Sequence, residues 1–120
     1  MYLIYLYKSL TTRKEKQMNV VLTNRAKTYS AKGTFDPSTK TFIVKAGAKV
    51  SADIAYSPTF RGSKTIEKLR AQYVVNGVTK EDVYFKSPST AANFVTGRSS
   101  NGMILWKTKD GQPLKDALSS

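Results

Sequence analysis

Arg98, Ser99, Ser100 and Asn101 form a polar run between a helix stop at Gly97 and an apolar segment that begins at Met103. Arginine and asparagine each present forked hydrogen-bonding groups that suit phosphate oxygens or base edges. Trp106 and Lys107 follow, an aromatic face beside a cation, which is the pairing that stacks on a base and holds its phosphate. The bland readings stand beside these. A lone Trp on a strand serves as a core anchor whose indole N–H needs one acceptor, and Asn101-Gly102 makes a tight turn with positive φ.

The rest of the chain offers little for catalysis. It has no histidine, so the usual general base near neutral pH and the commonest metal ligand are both missing. It has no cysteine, which removes disulfides, zinc–thiolate sites and thiol nucleophiles. Glu81 and Asp82 are adjacent acids, but strand neighbours point to opposite faces and cannot act on one substrate together. No Gly-rich phosphate loop and no metal-ligand spacing is present. The expectation is a chain that is not an enzyme, with no catalytic residues, no metal and no cofactor.

Charge points to a partner instead. Lys and Arg number 20 against 8 acids, a net charge of +12, with a pI near 10.0. The excess is uneven. Through residue 80 the acids are Glu15, Asp36, Asp53 and Glu67 against fifteen basic residues, a net of +11, and the remainder adds +1. A field of that sign attracts polyanions, of which nucleic acid is the commonest in a cell. The alternative is a solvated basic surface that keeps the domain soluble.

These residues need elements to hold them. At 120 residues the chain fits one domain with its own core. Residues 1–25 read as an N-terminal strand, Met1 to Tyr7, and a basic linker; residues 26–120 read as a single α+β domain. The Tyr-rich start is too short for a membrane span of about 20 residues and lacks signal-peptide features. The cytoplasm is the expected compartment, with no membrane partner.

Asn19 to Thr23 reads as a strand. Thr28 to Phe35 alternates, with Tyr29, Ala31, Gly33 and Phe35 on one face, and Gly33 implies a bulge or a close approach. Asp36-Pro37-Ser38-Thr39 is turn chemistry, and Thr41 to Lys45 returns as its hairpin partner. Ala48 to Gly62 reads as a loop carrying Lys49 and Arg61. Ser63 is the expected cap of a helix from Lys64 to about Val75, stopped by Asn76-Gly77, with Lys64 and Lys68 opposite its apolar side. Asp82 to Lys86 reads as a strand. Ser87 caps a helix from Pro88 to Thr96, and Gly97 ends it. Met103 to Lys107 reads as another strand, and Pro113 to Leu118 as a short helix. The sum is a mainly antiparallel sheet of about five strands with two or three short helices, an α+β fold.

Phe85-x-Ser87-Pro88-Ser89-x-Ala91-Ala92, Val95-x-Gly97-Arg98-x-x-Asn101-Gly102, Trp106-Lys107 and Asp110-Gly111-x-x-Leu114 resemble an uncharacterised bacterial domain of unknown function. That domain is found at the C-terminus of GIY-YIG nuclease-related and restriction–modification proteins. The same signature is similar to the RAMA domain (restriction enzyme and adenine methylase associated), for which DNA binding has been proposed. The resemblance covers Ala26 to Leu114. It implies a non-catalytic, DNA-binding accessory domain of a DNA-processing or restriction system. The alternative is a module that docks on a nuclease or methyltransferase without touching nucleic acid. Tyr2 to Tyr7 is faintly similar to the first strand of a GIY-YIG nuclease, but the Tyr-Ile-Gly half, the arginine helix and the metal-binding Glu have no counterpart.

The expected nucleic-acid contacts are therefore Arg61, Lys64, Lys68, Lys86, Arg98, Ser99, Asn101, Trp106 and Lys107. DNA is the expected partner, bound weakly by this domain alone, with oligomeric state open.

Overall fold

Alternation builds the sheet. The computed structural model of the protein describes residues 17–55 and 62–119. The Tyr-rich N-terminal strand, Tyr56 and Arg61 lie outside those residues. Four strands form an antiparallel sheet in the order β1-β2-β3-β6: β1 is Met18–Thr23, β2 Ser30–Asp36, β3 Thr41–Val44 and β6 Val83–Phe85. Each strand sends alternate residues inward: Val20 and Leu22, Ala31 and Phe35, Phe42 and Val44, Val83 and Phe85 are all buried. β1 pairs with β2 along its whole length, from Met18 opposite Phe35 to Thr23 opposite Ser30. β1, within residues 1–25, is thus part of the sheet.

The β2–β3 hairpin turns as Asp36-Pro37-Ser38-Thr39 demands. The Asp36 carboxylate accepts from the Ser38 N–H at 2.9 Å and from its hydroxyl at 2.7 Å. Gly33 causes no bulge, because the register runs through it unbroken. Its role is close approach: a Cβ there would collide with the Phe42 ring, which lies across it.

Helix α2, Pro88–Thr96, covers the inner face of the sheet. Its boundaries follow local chemistry. The Ser87 hydroxyl accepts from the Thr90 N–H, Pro88 fills the first turn, and Gly97 takes a left-handed φ of 77°. Ala91, Ala92, Phe94 and Val95 are buried, and Phe94 packs on Phe85 with ring centroids 5.3 Å apart.

Helix α1 is Ser63–Tyr73, shorter at its C-terminus than the sequence predicts. Gly62, not Ser63, precedes its first turn, and no side chain caps it. Asn76 and Gly77 do not stop the helix. Both have positive φ, 53° and 79°, and form the two-residue turn between β4, Val74–Val75, and β5, Val78–Thr79. The Asn-Gly signal was a hairpin signal, and the β-branched Val74 and Val75 leave the helix to pair.

Met103 to Lys107 is not a strand. Gly102–Leu105 forms a single-turn helix, α3, and Trp106 ends it in extended conformation. The last helix, α4, is Leu114–Ser119. The described residues thus hold six strands and four short helices, the expected α+β class.

A candidate nucleic-acid interface

Apart from Arg61, which lies outside the described residues, the predicted contact residues do not gather in one place. Trp106 is fully buried and cannot reach a base. Its ring lies 4.5 Å from that of Phe42, and its indole N–H donates to the Pro88 carbonyl at 3.0 Å. Tertiary packing won over the functional reading because this large apolar side chain fills the space between sheet and α2. Asn101 is also structural. It has φ of −94°, not the positive φ of a turn, and its side chain caps α3 by accepting from the Met103 N–H at 3.1 Å.

Arg98 and Ser99 are exposed just beyond the C-terminus of α2. Arg98 borders a polar cleft of about 330 Å³ with Asn24, Thr28, Ser51 and Asp53. Most of those groups are engaged within the fold. Asn24 bonds Thr28 through both ends of its amide, and the Ser51 hydroxyl donates toward the carbonyls of Asp53 and Thr96. Asp53 also brings a carboxylate to the cleft. Among the described residues lining this cleft, Arg98 is the one cation.

Lys64 and Lys68 are exposed on α1, on the side away from buried Ile66. Lys86 follows β6 and sits by the N-terminus of α2, one helix length from Arg98. Neither the Lys64–Lys68 pair nor Lys86 converges with the Arg98 loop.

Lys107 leads to a surface that the sequence did not reveal. Its backbone pairs with Val21 through two hydrogen bonds of 2.8 and 2.9 Å, extending the sheet past β1. Val21 pairs with Lys32, and the Lys45 N–H donates to the Lys32 carbonyl at 2.9 Å. Paired residues share a face. Lys107, Val21, Lys32 and Lys45 therefore form one row across the outer face of the sheet, opposite α2. Lys109 joins Lys32 and Lys45 around a hollow of about 270 Å³ floored by Val21 and Thr34.

The next row on that face is Asn19, Thr34, Ile43 and Tyr84, set by the strand register. Asn19 and Thr34 bond each other at 3.1 Å. Tyr84 stands between inward Val83 and Phe85 and is 72% exposed. The acids on this face are occupied. Asp82 accepts from the Ala46 N–H at 2.8 Å and pairs with Lys45 at 3.4 Å. Its carboxyl is held below the ordinary aspartate value, first by the Ala46 N–H and then by Lys45. Asp36 is lowered too, chiefly by the Ser38 hydroxyl.

The strongest polar cluster is inside. The Arg70 guanidinium donates to the carbonyls of Phe94, Val95 and Ser51 and to the Ser51 hydroxyl, at 2.8–3.2 Å. It thereby serves the orphan carbonyls at the C-terminal end of α2, where a cation is also favoured by the helix dipole. The sequence signal was available: Arg70 stands four residues after buried Ile66, on the apolar side of α1.

With this geometry in view, the comparison with known families is decisive for kinship. Residues 21–118 match the family described as Domain of unknown function (DUF4357). The chain belongs to the DUF4357 family. Comparison with curated proteins and with solved structures gave no match. The DUF4357 match begins inside β1, so it takes in the second half of that strand, and it ends within α4. No helix among the described residues is long and apolar enough to cross a membrane.

Proposed function

We propose that this DUF4357 chain is a non-catalytic DNA-binding accessory domain of a DNA-processing or restriction system, acting beside a nuclease or methyltransferase. The observation that carries the reading is the row of Lys107, Lys32 and Lys45 on the outer face of the sheet, with Lys109 next to it. Neighbouring strands are about 4.8 Å apart, and like charges directly opposite one another destabilise a sheet. Lys32 beside Lys45 is thus a cost to folding, relieved in part by Asp82, and a phosphate backbone would repay it. The net charge of +12 supports the same partner, because most of it lies in the segment that builds this sheet and α1. The resemblance to domains that follow GIY-YIG nuclease-related proteins, and to the RAMA domain, supports the restriction setting. The absence of His and Cys supports a role in binding, with the chemistry left to the partner enzyme.

The test is a titration of labelled duplex at several salt concentrations. Expected dissociation constants are about 10⁻⁴–10⁻⁶ M at physiological salt. Each lysine that neutralises a phosphate adds about 0.9 to the slope of log affinity against log salt. The double variant K32Q/K45Q should therefore lower that slope by about 1.8 while staying folded, as its cooperative melting checks. Salt-independent binding, or an unchanged slope in the variant, overturns the reading.

The interaction-module reading has its own supporting feature. Phe35, Pro37, Pro88, Met103 and Leu118 line an apolar hollow of about 490 Å³ at the N-terminal end of α2. Lys40 and Lys86 stand at its border, so it offers an apolar place for a partner side chain beside two cations.

A further inference from the structure

Tyr84 is the most exposed of the large apolar or aromatic side chains among the described residues, at 72%. The alternation of β6 forces it outward, because Val83 and Phe85 take the inward positions. Half-buried Ile43 lies directly beside it in register, so the ring has an apolar support on one side. Lys45 lies one position along β3 from Val44, the partner of Val83, and Lys86 lies two residues beyond Tyr84 on the same strand path. An aromatic ring open to solvent therefore has Lys86 on one side along its strand and the Lys45–Asp82 pair on the other.

We propose that this outer face binds single-stranded nucleic acid, with Tyr84 stacking on an unpaired base while Lys32, Lys45 and Lys86 hold the phosphates. The inference rests on the polyanion reading above and narrows it. Two physical reasons favour a single strand over a duplex at this face. Four strands at about 4.8 Å spacing are about 14 Å across, wider than the major groove of about 12 Å, which admits a helix or a two-stranded ribbon. A duplex could meet this face only through its backbone. A base in a duplex also hides both ring faces within its stack, so Tyr84 has a partner only where bases are unstacked. Base–aromatic stacking tolerates any sequence because every base has a π-face.

The experiment uses the full chain and fluorescence anisotropy with labelled oligothymidylate and oligouridylate of about 15 nucleotides, within the range of known single-strand sites, and a duplex of the same length. Tyr84→Ala should weaken single-strand binding by about 5-fold to about 100-fold. Tyr84→Phe keeps the ring and should bind as the native chain does. Duplex binding and the melting temperature should be unchanged in both variants, since the ring is in solvent. A Tyr84-dependent signal with oligothymidylate assigns DNA; one seen with oligouridylate alone assigns RNA. If Tyr84→Ala binds single strands as tightly as the native chain while salt-sensitive duplex binding persists, this inference falls and the DNA-binding reading stands. If the native chain binds none of the three probes, both fall.

Discussion

The indole N–H of Trp106 donates to the Pro88 carbonyl at 3.0 Å, and the same carbonyl is what a Cβ at Gly102 would strike. One backbone group at the start of α2 thus receives both ends of α3. Ser89 adds a third tie, its hydroxyl accepting from the Gly102 N–H at 3.0 Å. This is why Asn101 is followed by glycine: the position needs the absence of a side chain, whereas positive φ plays no part.

Trp106 and Gly102 should therefore behave as one unit. Gly102→Ala forces α3 away from Pro88 and should cost about 1–3 kcal/mol. Trp106→Phe loses the indole hydrogen bond and part of the ring, for about 1–3 kcal/mol. Since both act on the Pro88 carbonyl, the double variant should depart from additivity by more than about 0.5 kcal/mol. Urea unfolding of the four proteins checks this, and strict additivity would contradict the shared contact.

Arg70 should matter more to stability than any of the exposed cations. Arg70→Ala leaves the carbonyls of Phe94 and Val95 without their charged donor, and the expected loss is about 3 kcal/mol. Arg70→Lys should recover little, since an ammonium cannot reproduce the fork that reaches Ser51 and Phe94 together. The readout is the urea midpoint at constant slope. A lysine variant as stable as the native protein would show that charge alone, and not the fork, closes α2.

Acid should weaken the β3–β6 corner. The Asp82 carboxyl sits below its ordinary value of 3.8, owing first to the Ala46 N–H and then to Lys45. A carboxyl depressed by folding stabilises the native state above 3.8, and that contribution is lost as pH falls through the folded value. Asp36 behaves alike through Ser38. Stability should be level near neutrality and decline below 3.8. Asp82→Asn should lower stability at neutral pH and show a shallower acid decline. An acid decline as steep as that of the native protein would remove Asp82 as a contributor.

Much of the architecture was legible one residue at a time. The alternation from Thr28 to Phe35, the Asp36-Pro37 turn and the Ser87-Pro88 to Gly97 frame each encode their element through local backbone chemistry, and each forms as read. Asn76-Gly77 does supply positive φ, but for a hairpin turn and not a helix stop, whereas Asn101-Gly102 was misread for another reason. The same dipeptide can supply positive φ or simply a cap and a missing Cβ, and nothing local tells which. Met103 to Trp106 is apolar at a length that suits a strand or a single helical turn, and its docking on Pro88 decided the matter.

The candidate site was the least legible part. A run such as Arg98 to Asn101 draws attention because its polar residues are contiguous, yet the structure uses Asn101 as a cap and leaves Arg98 alone on its loop. Lys32, Lys45, Lys107 and Tyr84 are scattered over more than half the chain. By itself the sequence determined the net charge, the absence of histidine and cysteine chemistry, and the two faces of the strand from Thr28 to Phe35, because these depend on composition and on a two-residue period. Only the tertiary structure decided that Trp106 is core, that Arg70 is a helix cap, and that distant lysines share a row, because register is set by pairing between strands far apart in the chain.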